Sequence, residues 1–549
     1  MQFHHELRLS VWQIMGPAKR VAVVGAGVSG LVSVKACLEE GLEPVCYERN
    51  DEIGGIWVYR DTNPNGQTDA AIYEGLVTNS SKEMMCFSDF PFPRDWAPYI
   101  QGRQLNEYYH AYAEKFDLNR HIHLNTEVLC VEKTKDHETT GQWSVLVRNQ
   151  DGTESESVFD AVMVCTSIFN KPFVPSYPGM DVFKGEICHS QQFRKGENFK
   201  DKTVLAVGGS HSAGDMAVNS SRFAKQVYLS TRTGTWLVNR MQSDGMPRDM
   251  TIHRRYMTHV PVSWKLKRFE QESITRVDPS LIGIKSSKRY GTTTVMINDD
   301  LGTMVLNGKV KTKPGIDHFT EKGVVFKDGS TIENLDAVVF ATGFQICNPF
   351  ISSDIIPDRL EDMEMFHFVW PAKEKQHTLA AIGYIMIIGP HAPALELQAR
   401  WAVQVFQKKV GLPPQEIMMK EINGRKMGTF KRFGKHKIQT LPLPYQDIIA
   451  GFIGARPNFK SLIFSDPWLA YQLFFGPAYP AGYRLFGPHT WPKAREHIER
   501  GVDNVIFPTR TRIVETAHNA RSIFRLTVNG FLKTAFMAVL AIFILSVLT

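Results

Sequence analysis

Residues 20–48 read RVAVVGAGVSGLVSVKACLEEGLEPVCYE, and the order of residue types in this stretch decides the fold. A β-branched run, Arg20–Val24, stops at Gly25-Ala26-Gly27-Val28-Ser29-Gly30. A helical pattern follows through Leu31, Val34, Ala36, Cys37 and Leu38, and Gly41 ends it. Residues 44–47 read as a second strand, closed by Glu48, 23 residues after Gly25. The glycines let backbone and helix N-terminus approach a pyrophosphate, while the carboxylate accepts hydrogen bonds from ribose hydroxyls. A glycine triplet alone is a weak signal. Strand, turn, helix, strand and acid in register predict a dinucleotide-binding βαβ unit.

The unit recurs. Residues 203–207 form another buried-strand run, followed by Gly208-Gly209-Ser210-His211-Ser212-Ala213 and a helix expected to begin near Gly214-Asp215. Ser210 and Ala213 stand where glycine is usual, but both are small. The second strand, 226–229, ends in Ser230-Thr231-Arg232-Thr233 instead of an acid. Hydroxyls and a guanidinium in place of a carboxylate suit a 2′-phosphate, which favours NADP over NAD. Two similar strands, 159–166 (FDAVMVCT) and 335–343 (LDAVVFATG), frame this second unit and lead into crossovers. The fold class expected is therefore α/β, with two Rossmann-like dinucleotide-binding domains, the first discontinuous and the second inserted into it. The expected boundaries are 1–17 for an N-terminal extension, 18–172 for the first domain's first segment and 173–334 for the insertion. The first domain resumes over 335–508, carrying a C-terminal insertion, and 509–549 form a basic linker and apolar tail. Short β runs around 142–147 supply an antiparallel layer between the halves.

Composition narrows the class. The 549 residues are 43% hydrophobic and 22% charged, as in globular chains, and are long enough for several domains. A net charge of +7 without a long basic block gives no sign of nucleic-acid binding. Seven cysteines without a CxxC pair argue for a reducing compartment and against a redox dithiol. His4-His5 and His121-x-His123 lack a third partner, so no metal site is read. Residues 534–549 carry no charge, and 535–548 are almost wholly apolar. At the helical rise they reach about 24 Å, against a hydrocarbon core of about 30 Å, and Lys533 lets the span lengthen by snorkelling. With Arg510, Arg512, Arg521 and Arg525 upstream, the tail is expected to anchor the chain to a membrane.

Further motifs carry a family resemblance over about residues 18–549. Phe183-x-Gly185-x-x-x-His189-x-x-x-Phe193 matches the FxGxxxHxxx(F/Y) fingerprint of the flavin-containing monooxygenases. Gly54-Gly55-Ile56-Trp57, Thr78-Asn79-Ser80-Ser81-Lys82-Glu83, Cys86-Phe87-Ser88-Asp89-Phe90-Pro91 and Phe340-Ala341-Thr342-Gly343-Phe344 resemble that family's segments. So do Glu396-x-Gln398-Ala399-Arg400-Trp401, Phe474-Phe475-Gly476-Pro477 and the terminal tail, which is similar to that of the animal microsomal type. Ser167 departs from the family's usual glycine, and His211 from an asparagine often found there.

The resemblance implies that FAD lies on Gly25, Ala26, Gly27, Val28, Ser29, Gly30, Glu48, Ile56, Trp57, Asn79 and Ser80. NADPH would lie on Thr78, Asn79, Gly208, Ser210, Ser212, Ala213, Gly214, Asp215 and Arg232. It also implies the reaction. NADPH reduces FAD, O2 adds at C4a, and the resulting hydroperoxide gives its distal oxygen to an amine nitrogen or a sulfur. Asn79 is the candidate catalytic residue, because a neutral amide donates and accepts hydrogen bonds without supplying a proton. His189 is read as a conformational element. The implied location is the endoplasmic-reticulum membrane, with the bulk of the chain cytosolic, and a homo-oligomer is left open. Baeyer–Villiger ketone oxygenation, an uncoupled NADPH oxidase and a non-catalytic dinucleotide sensor are the alternatives. Phe193 weighs against the first, since Baeyer–Villiger enzymes usually carry Trp there.

Overall fold

Val21, Ala22 and Val23 are fully buried, as a strand flanked by parallel neighbours on both sides requires. In the computed structural model, which describes residues 19–512 except 62–71, 275–276, 294, 360–361 and 434–437, this strand is central in a five-stranded parallel sheet. The order is Leu379–Ala381, Ala161–Val164, Arg20–Val24, Glu43–Tyr47 and Ile122–His123. Val28–Glu39 is the helix that follows the first strand, and Gly41 leaves it at φ +73°.

A second parallel sheet repeats the plan. Its order is Val310–Lys313, Gln226–Ser230, Thr203–Val207, Ala337–Phe340 and Glu186–His189. Ala337–Phe340 pairs directly with the central strand, from Val204↔Ala337 to Val207↔Phe340. The second sheet thus reaches Phe340, and the boundary expected at 334/335 falls one strand too early. The helix after the second glycine turn spans His211–Ser220, so it begins three residues before the expected Gly214. Gly214 thus lies inside the helix with Met296 packed over it: a β-carbon there would stand 2.6 Å from Met296 Sδ.

Glu127–Lys133, Trp143–Arg148 and Glu154–Phe159 form the antiparallel layer beside the first sheet. A third apolar core is built by Phe459–Ser465, Pro467–Phe475 and Ala494–Ile506, and it takes in Met84 and Met250 from either nucleotide unit. Among the described residues, no helix is long and apolar enough to cross a membrane. The N-terminal extension, 1–17, and the expected anchor, 535–548, lie outside them.

Candidate functional site

The first cradle is built by close backbone approach. Gly25 has φ +98°, and a β-carbon on Gly30 would lie 1.9 Å from Gly25 O. Gly27, which precedes the helix, carries no side-chain cap for it and faces Gly55, whose own β-carbon would stand 3.1 Å from Gly27 Cα. Gly54 (φ +116°) leaves room for Asn106, whose buried Oδ1 has no partner among the described residues. Gly55–Trp57 forms a single 3-10 turn beside this approach, leaving Ile56 and Trp57 half-buried. Glu48 ends the second strand, buried, with Oε2 accepting from Ala26 N (2.8 Å) and Oε1 from Asn50 N and Nδ2 (3.0 Å each). Burial raises its carboxyl above the ordinary range, against the pull of those donors. An uncapped helix start, glycines that admit no side chain and a buried acid at the strand end fit the adenosine diphosphate half of a dinucleotide.

The second cradle repeats the features with looser chemistry. Gly208 has φ +154°, and its missing β-carbon would meet Ala341 O at 2.5 Å. Ser210 precedes the helix without capping it by its side chain, Ser212 is exposed, and Ala213 is buried. Ser230 is buried and donates to Pro314 O, while Arg232 is exposed just past the strand. Among the described residues, no carboxylate pairs with that guanidinium. A cationic fork at this strand end fits a 2′-phosphate. His211 Nδ1 accepts from Ile297 N (2.9 Å), which leaves the ring proton on Nε2. Burial, with Arg240 and His391 nearby, pushes this imidazole down to about 4, so it is neutral. The carboxylate of Asp215 is engaged elsewhere: Tyr73 OH donates to Oδ2 and Asn298 Nδ2 to Oδ1 (2.7 Å). As a side chain, Asp215 ties the two nucleotide units together through Tyr73.

The segment from Tyr73 to Ser81 is hydrogen-bonded to both nucleotide units. Thr78 N donates to Ile100 O (2.9 Å), and Thr78 Oγ1 accepts from Ile100 N while donating to Ser80 O. Asn79 and Ser80 are half-buried, and Asn79 Oδ1 is a buried acceptor without a partner among the described residues. An orphaned buried amide oxygen costs on the order of 1–3 kcal/mol, which an additional donor would offset. His189 sits at the edge of the second sheet, its Nε2 3.1 Å from Gly343 O and its ring edge-on to Phe344. Burial lowers its pKa, and its Nδ1 accepts from Gln191 N (3.1 Å), as a neutral imidazole does.

Sequence reading missed Arg240, Asp249, Tyr73 and Lys82. Arg240 donates to Val77 O and Thr78 O, Asp249 accepts from Ser81, and Lys82 Nζ donates to three main-chain carbonyls. Lys82 stood inside a recognised segment. The others had no local pattern to reveal them.

Comparison with known proteins agrees with this layout. The flavin-binding monooxygenase-like family model matches residues 18–546. Flavin-containing monooxygenase 2 of Homo sapiens is 39% identical over 527 residues, covering 94% of this chain and 97% of that protein. Flavin-containing monooxygenase 5 of Rattus norvegicus is 39% identical over 534 residues, 96% and 99% of the two. A Macaca mulatta relative, dimethylaniline monooxygenase (N-oxide-forming) 2, is 39% identical over 525 residues, 93% and 97% of the two. Among solved structures, S-allyl-L-cysteine S-oxygenase from Allium sativum shares the fold at 22% identity and a TM-score of 0.62, covering 89% of this chain and 98% of that one. Cyclohexanone monooxygenase from Rhodococcus sp. Phi1 bound to NADP+ does so at 18% identity and 0.56, covering 79% and 97%.

Proposed function

Because this chain belongs to the flavin-binding monooxygenase-like family, we propose that it oxygenates amine nitrogen and sulfide sulfur with FAD on the first cradle and NADPH on the second. The overall change balances as NADPH, a proton, O2 and the nucleophile giving NADP+, water and the N- or S-oxide. The amine half of this reading is supported by the Macaca mulatta relative, which is named as an N-oxide-forming dimethylaniline monooxygenase. The flavin supplies the electron transfer and the oxygen activation, chemistry that no protein side chain provides.

The chain's own residues hold and shield. Glu48 would take the FAD ribose hydroxyls, the amides of Gly27 to Gly30 its pyrophosphate, and Ile56 and Trp57 its ring. Ser210, Ser212 and Arg232 would take the NADPH phosphates. One observation carries the role of Asn79: its buried Oδ1 lacks a donor among the described residues, on a segment tied to both nucleotide units. An amide there accepts from one bound ring and donates to another, and it brings no acidic proton that would release peroxide early. The tail, 535–548, is proposed to hold the chain at the endoplasmic-reticulum membrane.

The test is Asn79→Ala. The variant should keep its bound flavin and consume NADPH, yet form several-fold more hydrogen peroxide per NADPH. Normal product yield from it would end the assignment. Product analysis with a thioether and a ketone then separates S-oxygenation from the Baeyer–Villiger alternative.

A further inference from the structure

We infer that Arg240 and Asp249 are positioning residues through which the second nucleotide domain sets the amide of Asn79, an inference that rests on the reading of Asn79 above. The segment 76–82 has two sides. On one, its own domain holds it: Gly102 N donates to Leu76 O (2.9 Å), Thr78 N to Ile100 O (2.9 Å) and Lys82 N to Pro98 O (2.8 Å). On the other, the holds come from the inserted domain. Arg240 Nε donates to Thr78 O (3.1 Å) and Nη2 to Val77 O (3.3 Å). Asp249 Oδ2 accepts from Ser81 N (2.6 Å) and Oδ1 from Ser81 Oγ (2.9 Å). Asn79 lies between these two grips. Among the described residues, its side chain makes no hydrogen bond to either of them, so what they do to it passes through the backbone on either side.

Arg240 is itself held at several points. Nη1 reaches Asp299 Oδ2 (2.9 Å), its N–H reaches Asp299 Oδ1 (3.0 Å), and its carbonyl accepts from Arg248 N (2.9 Å). A planar fork that spans two successive carbonyls and a carboxylate requires guanidinium geometry; an ammonium is a single point. Tyr73 joins the same segment to Asp215, one turn into the helix that starts at the second cradle. The helix that starts at the second cradle and the stretch of chain that carries Asn79 are therefore joined by hydrogen bonds. Displacing a positioned group by a fraction of an ångström costs catalytic steps far more than it costs stability.

The experiment uses the full-length holoenzyme and compares Arg240→Ala, Asp249→Asn, Asn79→Ala and the double variant Arg240→Ala/Asn79→Ala. Three readouts are taken: bound flavin from its absorbance, the anaerobic rate of flavin reduction by NADPH, and hydrogen peroxide formed per NADPH. Arg240→Ala should keep flavin, change reduction by less than about threefold, and raise peroxide per NADPH by about fivefold or more. Asp249→Asn should shift peroxide in the same direction. It keeps the proposal testable should Arg240→Ala not fold. In the double variant, peroxide should be no higher than in Asn79→Ala alone, since residues acting through one group are non-additive. Arg240→Lys should restore coupling only in part. Uncoupling in Asn79→Ala with normal coupling in both Arg240→Ala and Asp249→Asn would overturn the positioning role and leave Asn79 standing. Additive peroxide in the double variant would overturn it as well. Normal coupling in Asn79→Ala would remove the reading beneath it.

Discussion

A methyl group placed on Gly30 would lie 1.9 Å from the carbonyl oxygen of Gly25. The obstacle is backbone, and Gly25 is fixed by its own φ of +98° and by its N–H on Tyr47 O (2.8 Å), so no side-chain rotation relieves it. Gly30→Ala should therefore open the turn, cost about 1–3 kcal/mol of stability and yield largely colourless protein. In the second motif the corresponding residue is already Ala213, and its β-carbon sits where Gly208 leaves space. Ala213→Gly should cost only about 1 kcal/mol, the helix propensity difference, and leave the Michaelis constant for NADPH nearly unchanged. Flavin absorbance relative to protein, with thermal unfolding, checks both. A fully flavinylated Gly30→Ala would show that the turn is not a tight phosphate approach.

Arg232 tests the choice of nicotinamide cofactor. It is exposed just past the strand Gln226–Ser230, with Gly315 backing its side chain closely enough that a β-carbon there would be 3.4 Å from Arg232 Cγ. A charge-assisted pair with a 2′-phosphate is worth about 1.5–3 kcal/mol, so Arg232→Ala should raise the Michaelis constant for NADPH by about tenfold or more. The constant for NADH, which lacks that phosphate, should stay within about twofold. Equal changes in the two would place the 2′-phosphate elsewhere.

Lys82 is wholly buried, and its ammonium donates to Pro93 O (3.1 Å), Arg94 O (2.7 Å) and Trp96 O (2.7 Å). Burial lowers its pKa, yet three carbonyl acceptors hold the group in place. Lys82→Met fills the space but removes every donor. It should destabilise the protein by about 3 kcal/mol and loosen the turn at 93–96. Limited trypsin digestion, read at Arg94, should cleave the variant much faster than the wild type. Identical digestion rates would mean that the turn is held by other contacts.

Local signals were legible, and relationships between distant segments were not. Both glycine turns, Glu48 and the strands around them could be read because the βαβ unit states itself within about 30 residues. The helix after the second turn begins at His211, three residues before the expected Gly214, and the packing of Met296 over Gly214 leaves no local pattern. The strand at 337–340 was visible as apolar, but its sheet is decided by pairing with Val204 to Val207, which no single stretch encodes. Ser167, the departure from glycine, adopts φ +71° where Gly343 in the parallel motif has φ +92°. The backbone requirement is thus the same in both, met in one by a residue that bears some strain. Arg240 and Asp249 each act on a carbonyl or amide more than 150 residues away, and such contacts leave no periodicity.

The network around Arg484 gives the protein a pH signature whose sign follows from its geometry. Arg484 Nη2 lies 2.9 Å from Glu396 Oε1 and 3.1 Å from Asp89 Oδ2, and Nη1 lies 3.1 Å from Glu39 Oε1. Lys35 Nζ bridges Glu39 and Asp89 at 2.7 Å each, Ser88 Oγ donates to Glu396, and Arg400 stands nearby. Burial would raise the Glu396 carboxyl, but Arg484, with Lys35 and Arg400, outweighs it and holds the group at about 2, below the ordinary 4.5. Glu39 is shifted down against burial by the same Arg484 and Lys35. Asp89 is shifted up by burial and by Glu396, which tempers the sum. A carboxyl depressed in the folded state stabilises fully above its unfolded pKa, and that stability is lost as pH falls through the folded one. Wild-type melting temperature should therefore drop as pH falls from about 4.5 toward about 2. Arg484→Met leaves the buried Glu396 and the half-buried Glu39 and Asp89 short of a partner and should cost about 3–5 kcal/mol at pH 7. At pH 4 the penalty should shrink, because acids without the guanidinium take up protons in the folded state. Urea unfolding of both proteins at the two pH values measures this, and a penalty equal at pH 7 and pH 4 would show that Arg484 serves by packing alone.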